Sequence, residues 1–351
     1  MNIVCVQDQL KSALDIVKRG AASKSTLAVL GCVLLEASDG LKLSTTNLES
    51  FVVKKIGAKV EKEGSVLVPV DVLSEFVSSL PNGPVTIKQT KAGISVSCGT
   101  MKANIRSMPV DEFPTIPSVE ASLEIDGDVL KTAINRVAYA AAKDDTRPTL
   151  SGMYFHGGEK LSVVTADGFR LAKVTVPVAI DIDVLVPARV AREIGRTVSG
   201  TVTIGYNQNH IEFAFDGCKF GSRLIEGKFP DYNRVIPEGG ETNVVLNSAD
   251  LARAVKTATV FSDTTVALGF EDSIVSVSSK DAEVGDNTGD VECEKSGPDV
   301  KIAFNPRYLI ELLAAMPEKV SFSIKGASFP IVAMSVDDTD YIAVLMPMHI
   351  Q

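Results

Sequence analysis

The chain has 351 residues, 45% of them hydrophobic, and 35 Lys+Arg against 44 Asp+Glu give a formal net charge of −9. No apolar run reaches the roughly 18 residues that span a bilayer, no leader pattern opens the chain, and five scattered cysteines (Cys5, Cys32, Cys98, Cys218, Cys293) read as reduced thiols of a cytoplasmic protein rather than a disulfide scaffold. An acidic balance disfavours a polyanionic partner unless the bases are sorted onto one surface.

In chain order, a short strand and an amphipathic helix over 7–19 come first, with Leu10, Ala13, Leu14 and Val17 on one face. A strand over 27–36 leads through the Asp39-Gly40 turn into a strand over 41–45, a hairpin signal. Val66-Leu67-Val68-Pro69 then opens a helix over 70–80, and strands over 85–88, 94–98 and 102–106 follow. Phe113-Pro114-Thr115-Ile116-Pro117 reads as a stiff linker.

The same order returns twice. Helices are expected over 126–143 and 248–260, carrying Leu130 and Leu251 where the first carries Leu10. Val184-Leu185-Val186-Pro187 and Ile302-Ala303-Phe304-Asn305-Pro306 repeat the strand-to-helix step, so the prolines at 69, 187 and 306 mark a period near 120. A second paired-proline linker runs over 229–237, and the acidic stretch 281–294 reads as an exposed loop or edge. The period sets the architecture: an α+β chain of three similar domains, 1–118, 119–240 and 241–351, each with two helices packed on antiparallel sheets.

The same residues form no recognisable catalytic or cofactor pattern. His156, His210 and His349 stand without a metal-ligand partner at usable spacing, and the Gly221 to Gly227-Lys228 stretch has one residue too many for a phosphate loop and Phe229 where Ser or Thr would hold magnesium. The stretch 286–297 has Val291 where a calcium loop needs glycine. No cofactor, no metal and no enzymatic activity are expected.

Charge, by contrast, is sorted. The six predicted helices hold 12 Lys/Arg and 9 Asp/Glu, a balance of +3, leaving −12 on the remainder. Arg189, Arg192 and Arg196 share one helix face, as do Lys11 and Lys18. Weak basic charge makes weak, salt-sensitive phosphate contacts without base readout, so such a surface would need a closed ring to stay on DNA. Helices spaced 8–10 Å give a bore of about 10 Å for six and roughly 28 Å for twelve; only the second admits a duplex. One chain is then half of a ring and the ring a head-to-tail homodimer. The alternative is a protein-binding scaffold that never touches nucleic acid.

Specific residues carry a family likeness. Thr26-Leu27 with Leu30-Gly31, Leu150-Ser151-Gly152-Met153, Ala166-Asp167-Gly168-Phe169-Arg170-Leu171-Ala172, Gly227-Lys228-Phe229-Pro230-Asp231-Tyr232, Arg234-Val235 and Met346-Pro347-Met348 resemble the bacterial DNA polymerase III beta subunit, the sliding clamp family, over the full length. The resemblance implies a processivity factor: a homodimeric ring around double-stranded DNA, held without sequence preference. It also implies a hydrophobic pocket for short motifs of the polymerase III alpha subunit, the clamp loader and other clamp-binding proteins. On this chain the matching pocket positions are Leu150, Asp167, Gly168, Phe169, Arg170, Leu171, Pro230, Arg234, Val235, Asn305, Tyr308, Val344, Met346, Pro347 and Met348. The apolar members would form its floor, and Arg170 and Arg234 would hold polar groups at its rim; any one apolar member could equally be plain core. DNA contacts would come from Lys11, Lys18, Lys24, Lys131, Arg136, Arg189, Arg192, Arg196, Arg253 and Lys256, and the dimer seam from Val260 and Phe261. Phe169, Asn233 and His349 depart from the family's frequent His, Arg and Arg, which would make the pocket wall more apolar and alter peptide preference.

Overall fold

The structure, a computed structural model, describes residues 1–22, 25–144 and 146–348. The first repeat runs β1 (Asn2–Val6), α1 (Gln7–Val17), β2 (Cys32–Ala37), β3 (Leu41–Thr46), β4 (Ser50–Ile56), β5 (Lys59–Lys62), β6 (Gly64–Pro69), α2 (Val70–Ser79), β7 (Pro84–Thr90), β8 (Gly93–Cys98) and β9 (Met101–Arg106). The second runs β10 (Ala121–Asp126), α3 (Gly127–Val137), β11 (Gly152–Gly158), β12 (Leu161–Ala166), β13 (Arg170–Val176), β14 (Ile180–Pro187), α4 (Ala188–Thr197), β15 (Thr201–Tyr206), β16 (His210–Phe215) and β17 (Cys218–Arg223). The third runs β18 (Thr242–Asn247), α5 (Ser248–Ala258), β19 (Val266–Glu271), β20 (Ile274–Asp281), β21 (Gly285–Ser296), β22 (Val300–Phe304), α6 (Pro306–Ala314), β23 (Lys319–Ile324), β24 (Ile331–Ser335) and β25 (Tyr341–Leu345). The expected α+β class, two helices per repeat on antiparallel sheets, holds.

Three small devices recur at the repeat spacing. A hydroxyl on the third strand of each repeat, Thr45, Thr165 or Ser279, donates to the carbonyl that ends the repeat's first helix, Val17, Val137 or Ala258. Two residues on, Asn47, Asp167 or Asp281 closes the hairpin by accepting two backbone N–H groups at 2.7–3.1 Å. The first N–H of each helix, at Gln7, Gly127 or Ser248, donates to the carbonyl of Gly83, Gly200 or Glu318. The first and third devices satisfy backbone groups that a helix end leaves unpaired, and the second satisfies those of a hairpin turn.

The chain forms two compact units, Met1–Lys131 with Glu193–Leu224, and Thr132–Arg192 with the residues from Ile225 onward. In the first, β17 pairs with β4, so that one eight-stranded sheet runs β10-β15-β16-β17-β4-β3-β2-β6 beside a five-stranded sheet β5-β1-β7-β8-β9. In the second, β25 pairs with β13 and a single twelve-stranded sheet runs β14-β11-β12-β13-β25-β24-β23-β18-β21-β20-β19-β22. Both joins are antiparallel and use the same strands of successive repeats.

Several boundaries differ from the sequence reading, each for a local reason. The expected strand over 27–36 starts only at Cys32, after a 3-10 turn over Ala28–Gly31; a short apolar run has no period that separates strand from helix. The expected helix over 126–143 stops at Val137, although alanines follow. There the chain tightens into a 3-10 turn over Ala138–Ala140, where Thr165 donates to the Val137 carbonyl and Arg192 to that of Ala138. The acidic stretch at 281–294 is largely strand β21, and its 285–292 part pairs only with β20, leaving one edge open. The proline linkers are not bare spacers: Phe113 packs on the Leu30–Leu67 core, and Phe229 and Tyr232 are buried in the core around Leu171 and Val344.

Replacing Thr45 by Val keeps the shape but strands the Val17 carbonyl; the expected loss is about 1–2 kcal/mol of stability, read as a lower denaturant midpoint with unchanged slope.

Candidate functional site

The 165–171 hairpin builds one wall of a cleft in the second unit. Asp167 accepts from the N–H groups of Phe169 at 2.9 Å and Arg170 at 3.0 Å, and Gly168 between them sits at φ +90°, where a side chain would be strained. That turn holds Phe169 outward, 61% exposed, with its ring 6.3 Å from Tyr308. The Phe169 carbonyl accepts from the Met346 N–H at 2.8 Å, which ties the wall to the chain leaving β25.

Beneath this turn lies a cavity of about 240 Å³, floored by Leu150, Leu171, Val344 and Tyr232 and edged by Pro230, Val235 and Met346. Val235 and Met346 are 54% and 43% exposed, large apolar surfaces of the kind that mark a binding site. A second, more polar depression of about 570 Å³ adjoins it, with Lys143, Asp144, Thr146, Asn305, Arg307 and Tyr308 in its lining. The two share Arg147, Leu150, Gly168, Phe169 and Arg170, and so form one groove with an apolar and a polar half.

Arg170 is not the rim cation the sequence suggested. It is buried, donating to Asp167 at 3.0 Å, to Glu311 and to the Tyr139 carbonyl at 2.7 Å, with its guanidinium 4.1 Å from the Tyr308 ring centre. An arginine starting a strand on its inward face must be paired in full, and here that pairing fixes the wall. Burial works against the charge of Glu311, yet Arg170, with Lys143 and Arg307, holds its carboxyl below the ordinary glutamate range. Burial pushes the Tyr341 hydroxyl up to about 12, beside Tyr139 at 3.1 Å.

The remaining expected pocket residues divide. Asn305 caps α6 and lines the polar half with Tyr308. Arg234 is 86% exposed at its side chain and pairs with Asp231 at 2.9 Å, outside both halves. Pro347 and Met348 line a different depression, where the Met348 N–H donates to Ala303 at 2.7 Å; a strand-like bridge takes them away from the groove. Arg147, Phe229 and Tyr232 are groove residues that sequence reasoning left out, although Phe229 and Tyr232 flank the named Pro230.

The expected DNA-facing bases divide as well. Within the observed helix bounds there are nine basic and eight acidic residues, a smaller excess than expected, because Lys18, Arg19 and Lys143 fall outside the α-helices. Lys11, Lys131, Arg189 and Lys256 are exposed. Lys18 pairs with Asp71 at 2.7 Å, Arg196 with Glu193 and Arg253 with Asp250, both at 2.8 Å. Arg136 pairs with Asp338 and lies over the Tyr341 ring, and Arg192 donates to the Ala138 carbonyl at 2.6 Å; both side chains are turned into the fold instead of standing free. Lys24 and His349 lie outside the described residues.

An apolar groove with a polar half, set on a rigid sheet assembled from repeats, is what a docking protein offers its partners. The chain belongs to the DNA polymerase III beta subunit family: residues 1–117 match its N-terminal domain, 124–231 its central domain and 233–349 its C-terminal domain. It is a DNA sliding clamp, a non-catalytic processivity factor. It is 30% identical to the beta sliding clamp of Streptococcus pneumoniae, with 96% of each chain covered, and 29% identical to that of Pseudomonas aeruginosa over the whole of both. Among solved structures it superposes on the DNA polymerase III beta subunit of Thermotoga maritima with TM-score 0.93 at 27% identity, covering all of both chains. It superposes equally completely, with TM-score 0.94 at 28% identity, on a Pseudomonas aeruginosa clamp bound to griselimycin.

Replacing Arg170 by Met removes the guanidinium that bridges Asp167, Glu311 and the Tyr139 carbonyl and should cost about 3–5 kcal/mol, read as a lower denaturation midpoint. Glu311 contributes stability that is fully present above the ordinary glutamate pKa of 4.5 and is lost as the pH falls through its lowered value. The Glu311→Gln variant should therefore show a flatter acid limb in melts below about pH 4.5.

Proposed function

We propose that two copies of this chain, each of three domains (1–118, 119–240, 241–351), close head to tail into a ring that holds duplex DNA topologically and without sequence preference. Through the groove at Phe169, Leu171, Val344 and Met346 it tethers the polymerase III alpha subunit, the clamp loader and other proteins bearing a short apolar motif. It works in the cytoplasm.

One observation carries the ring. The chain joins its repeats twice by pairing a fourth strand with the last strand of the following repeat, β4 with β17 and β13 with β25. A third use of the join requires β21 and a β9, and both present an open edge. Unpaired strand edges are templates for association. The register of the first two joins carries Lys102 of β9 opposite Thr288, between Asp286 and Asp290 of another copy's β21, so that a basic edge meets an acidic one. Apolar residues flank the seam: Val260 is 72% exposed, Phe261 lies beside Gly285, and Val72 of α2 is 52% exposed where its repeat counterpart Val190 is buried. Lys11, Lys131, Arg189, Arg196, Arg253 and Lys256, with Lys18, supply the DNA-facing charge in this reading; it asks little of Arg136 and Arg192.

Loading onto circular and linearised DNA tests this directly. Retention on the circle with rapid loss from the linear template is expected; equal loss from both contradicts topological holding. Charge reversal at Lys131, Arg189 and Arg196 should impair loading, and a protein that never touches nucleic acid would be indifferent to it. In titrations with a labelled synthetic peptide carrying the clamp-binding motif of an alpha subunit, Met346→Ala should weaken binding by about 1–2 kcal/mol. Met348→Ala should leave it unchanged, since Met348 lies outside the groove.

A further inference from the structure

The join that frames the groove occurs once more in the chain, between β4 and β17, yet there the open space is divided into two separate depressions. The two joins share one register. Leu171 lies opposite Val344 in one, and Phe51 lies opposite Gly221 in the other. Both Phe51 and Leu171 stand one step inside the equivalent turns of Asn47 and Asp167, opposite Thr46 and Ala166. The strap that crosses each join begins with the same dipeptide, Phe113-Pro114 and Phe229-Pro230.

At the groove, Leu171 and Val344 leave the 240 Å³ cavity between them. At the counterpart, the floor position is glycine and its partner is a phenylalanine. Gly221 is absent from the glycines at positive φ, so no turn demands it. Space does: a Cβ on Gly221 would fall 2.0 Å from the Phe51 ring. The ring lies against the strand backbone, and Phe51 is only 4% exposed. What remains is a depression of about 320 Å³ on one side, lined by Leu48, Pro114 and Arg223, and one of about 560 Å³ on the other, lined by Ile116 and Phe215. Phe51 and Pro117 belong to both, and so separate them.

We propose that the Phe51–Gly221 pair is a built-in plug: it closes the repeat counterpart of the peptide groove and confines apolar-motif binding to one site per chain. Two joins of one register would otherwise offer a motif more than one seat. A partner held at a single place per chain has a defined position relative to DNA. The proposal rests on the groove being the peptide site.

Exchange of the pair tests it, with the labelled alpha-subunit motif peptide as probe and the full-length chain as protein. The double variant Leu171→Phe/Val344→Gly transplants the plug and should lose at least tenfold in affinity while keeping a cooperative melt; wild-type affinity in the folded variant overturns the proposal. The separate Phe51→Ala variant removes the native plug, and its titration should rise from one peptide per chain to two, the second weaker. A stoichiometry still of one in that folded variant also overturns it. If the unmodified chain binds no peptide, the groove assignment fails instead, and the two failures are distinguished by that first titration.

Discussion

A β-strand edge must be paired, covered or blunted, and the whole organisation of this chain follows from how its edges are satisfied. Within each repeat, hairpins pair most strands. Between repeats the chain uses a strand join, which runs sheets of eight and twelve strands across what the sequence marks as separate domains. Backbone hydrogen bonds across such a join are periodic and cooperative, so within each unit the paired strands form one continuous, rigid sheet. That rigidity is what a docking groove needs, because partners bind a preformed wall at less entropic cost than a mobile one. The same logic leaves β9 and the 285–292 part of β21 with open edges, alongside other sheet-edge strands such as β5, β10 and β14.

The groove is a local elaboration of one join. Its apolar half comes from core residues of the sheet, its outer wall from a tight Asx turn, and its support from a buried arginine that binds two carboxylates and a carbonyl at once. Arg170 acts through position: it holds Asp167 and α6 in one geometry, and its side chain is only 2% exposed. Small changes of side chain decide whether the same backbone is open or filled, as the contrast between Leu171 with Val344 and Phe51 with Gly221 illustrates.

Much of this was legible in the sequence, and the limits have physical causes. The proline-marked period exposed three repeats because each copy must present a strand end and a helix start at the same place. The groove could be approached only through the family resemblance that Ala166-Asp167-Gly168-Phe169-Arg170-Leu171-Ala172 helps to carry; the residues by themselves marked a strand and a turn. The inward course of Arg170, Arg136 and Arg192 left no trace, since charge in a sequence carries no direction and, beyond Asp167 next to Arg170, each binds a partner 31 to 202 residues away. Helix ends were misplaced where a distant hydroxyl binds the carbonyl at a helix end, as Thr165 does at Val137, and the acidic stretch at 281–294, read as an exposed loop or edge, is edge strand over most of its length. Met348 shared a motif with Met346 but not its surroundings, because a single backbone bridge to Ala303 turns the chain away.

The central claim is that β9 and β21 satisfy each other between copies. Amide hydrogen exchange of residues 101–106 and 285–292, followed as the protein is diluted from micromolar to low nanomolar concentration, addresses it without DNA or partner proteins. Joint protection of both strands at high concentration, lost together on dilution, is the predicted result. Fast exchange of either strand at every concentration would contradict it.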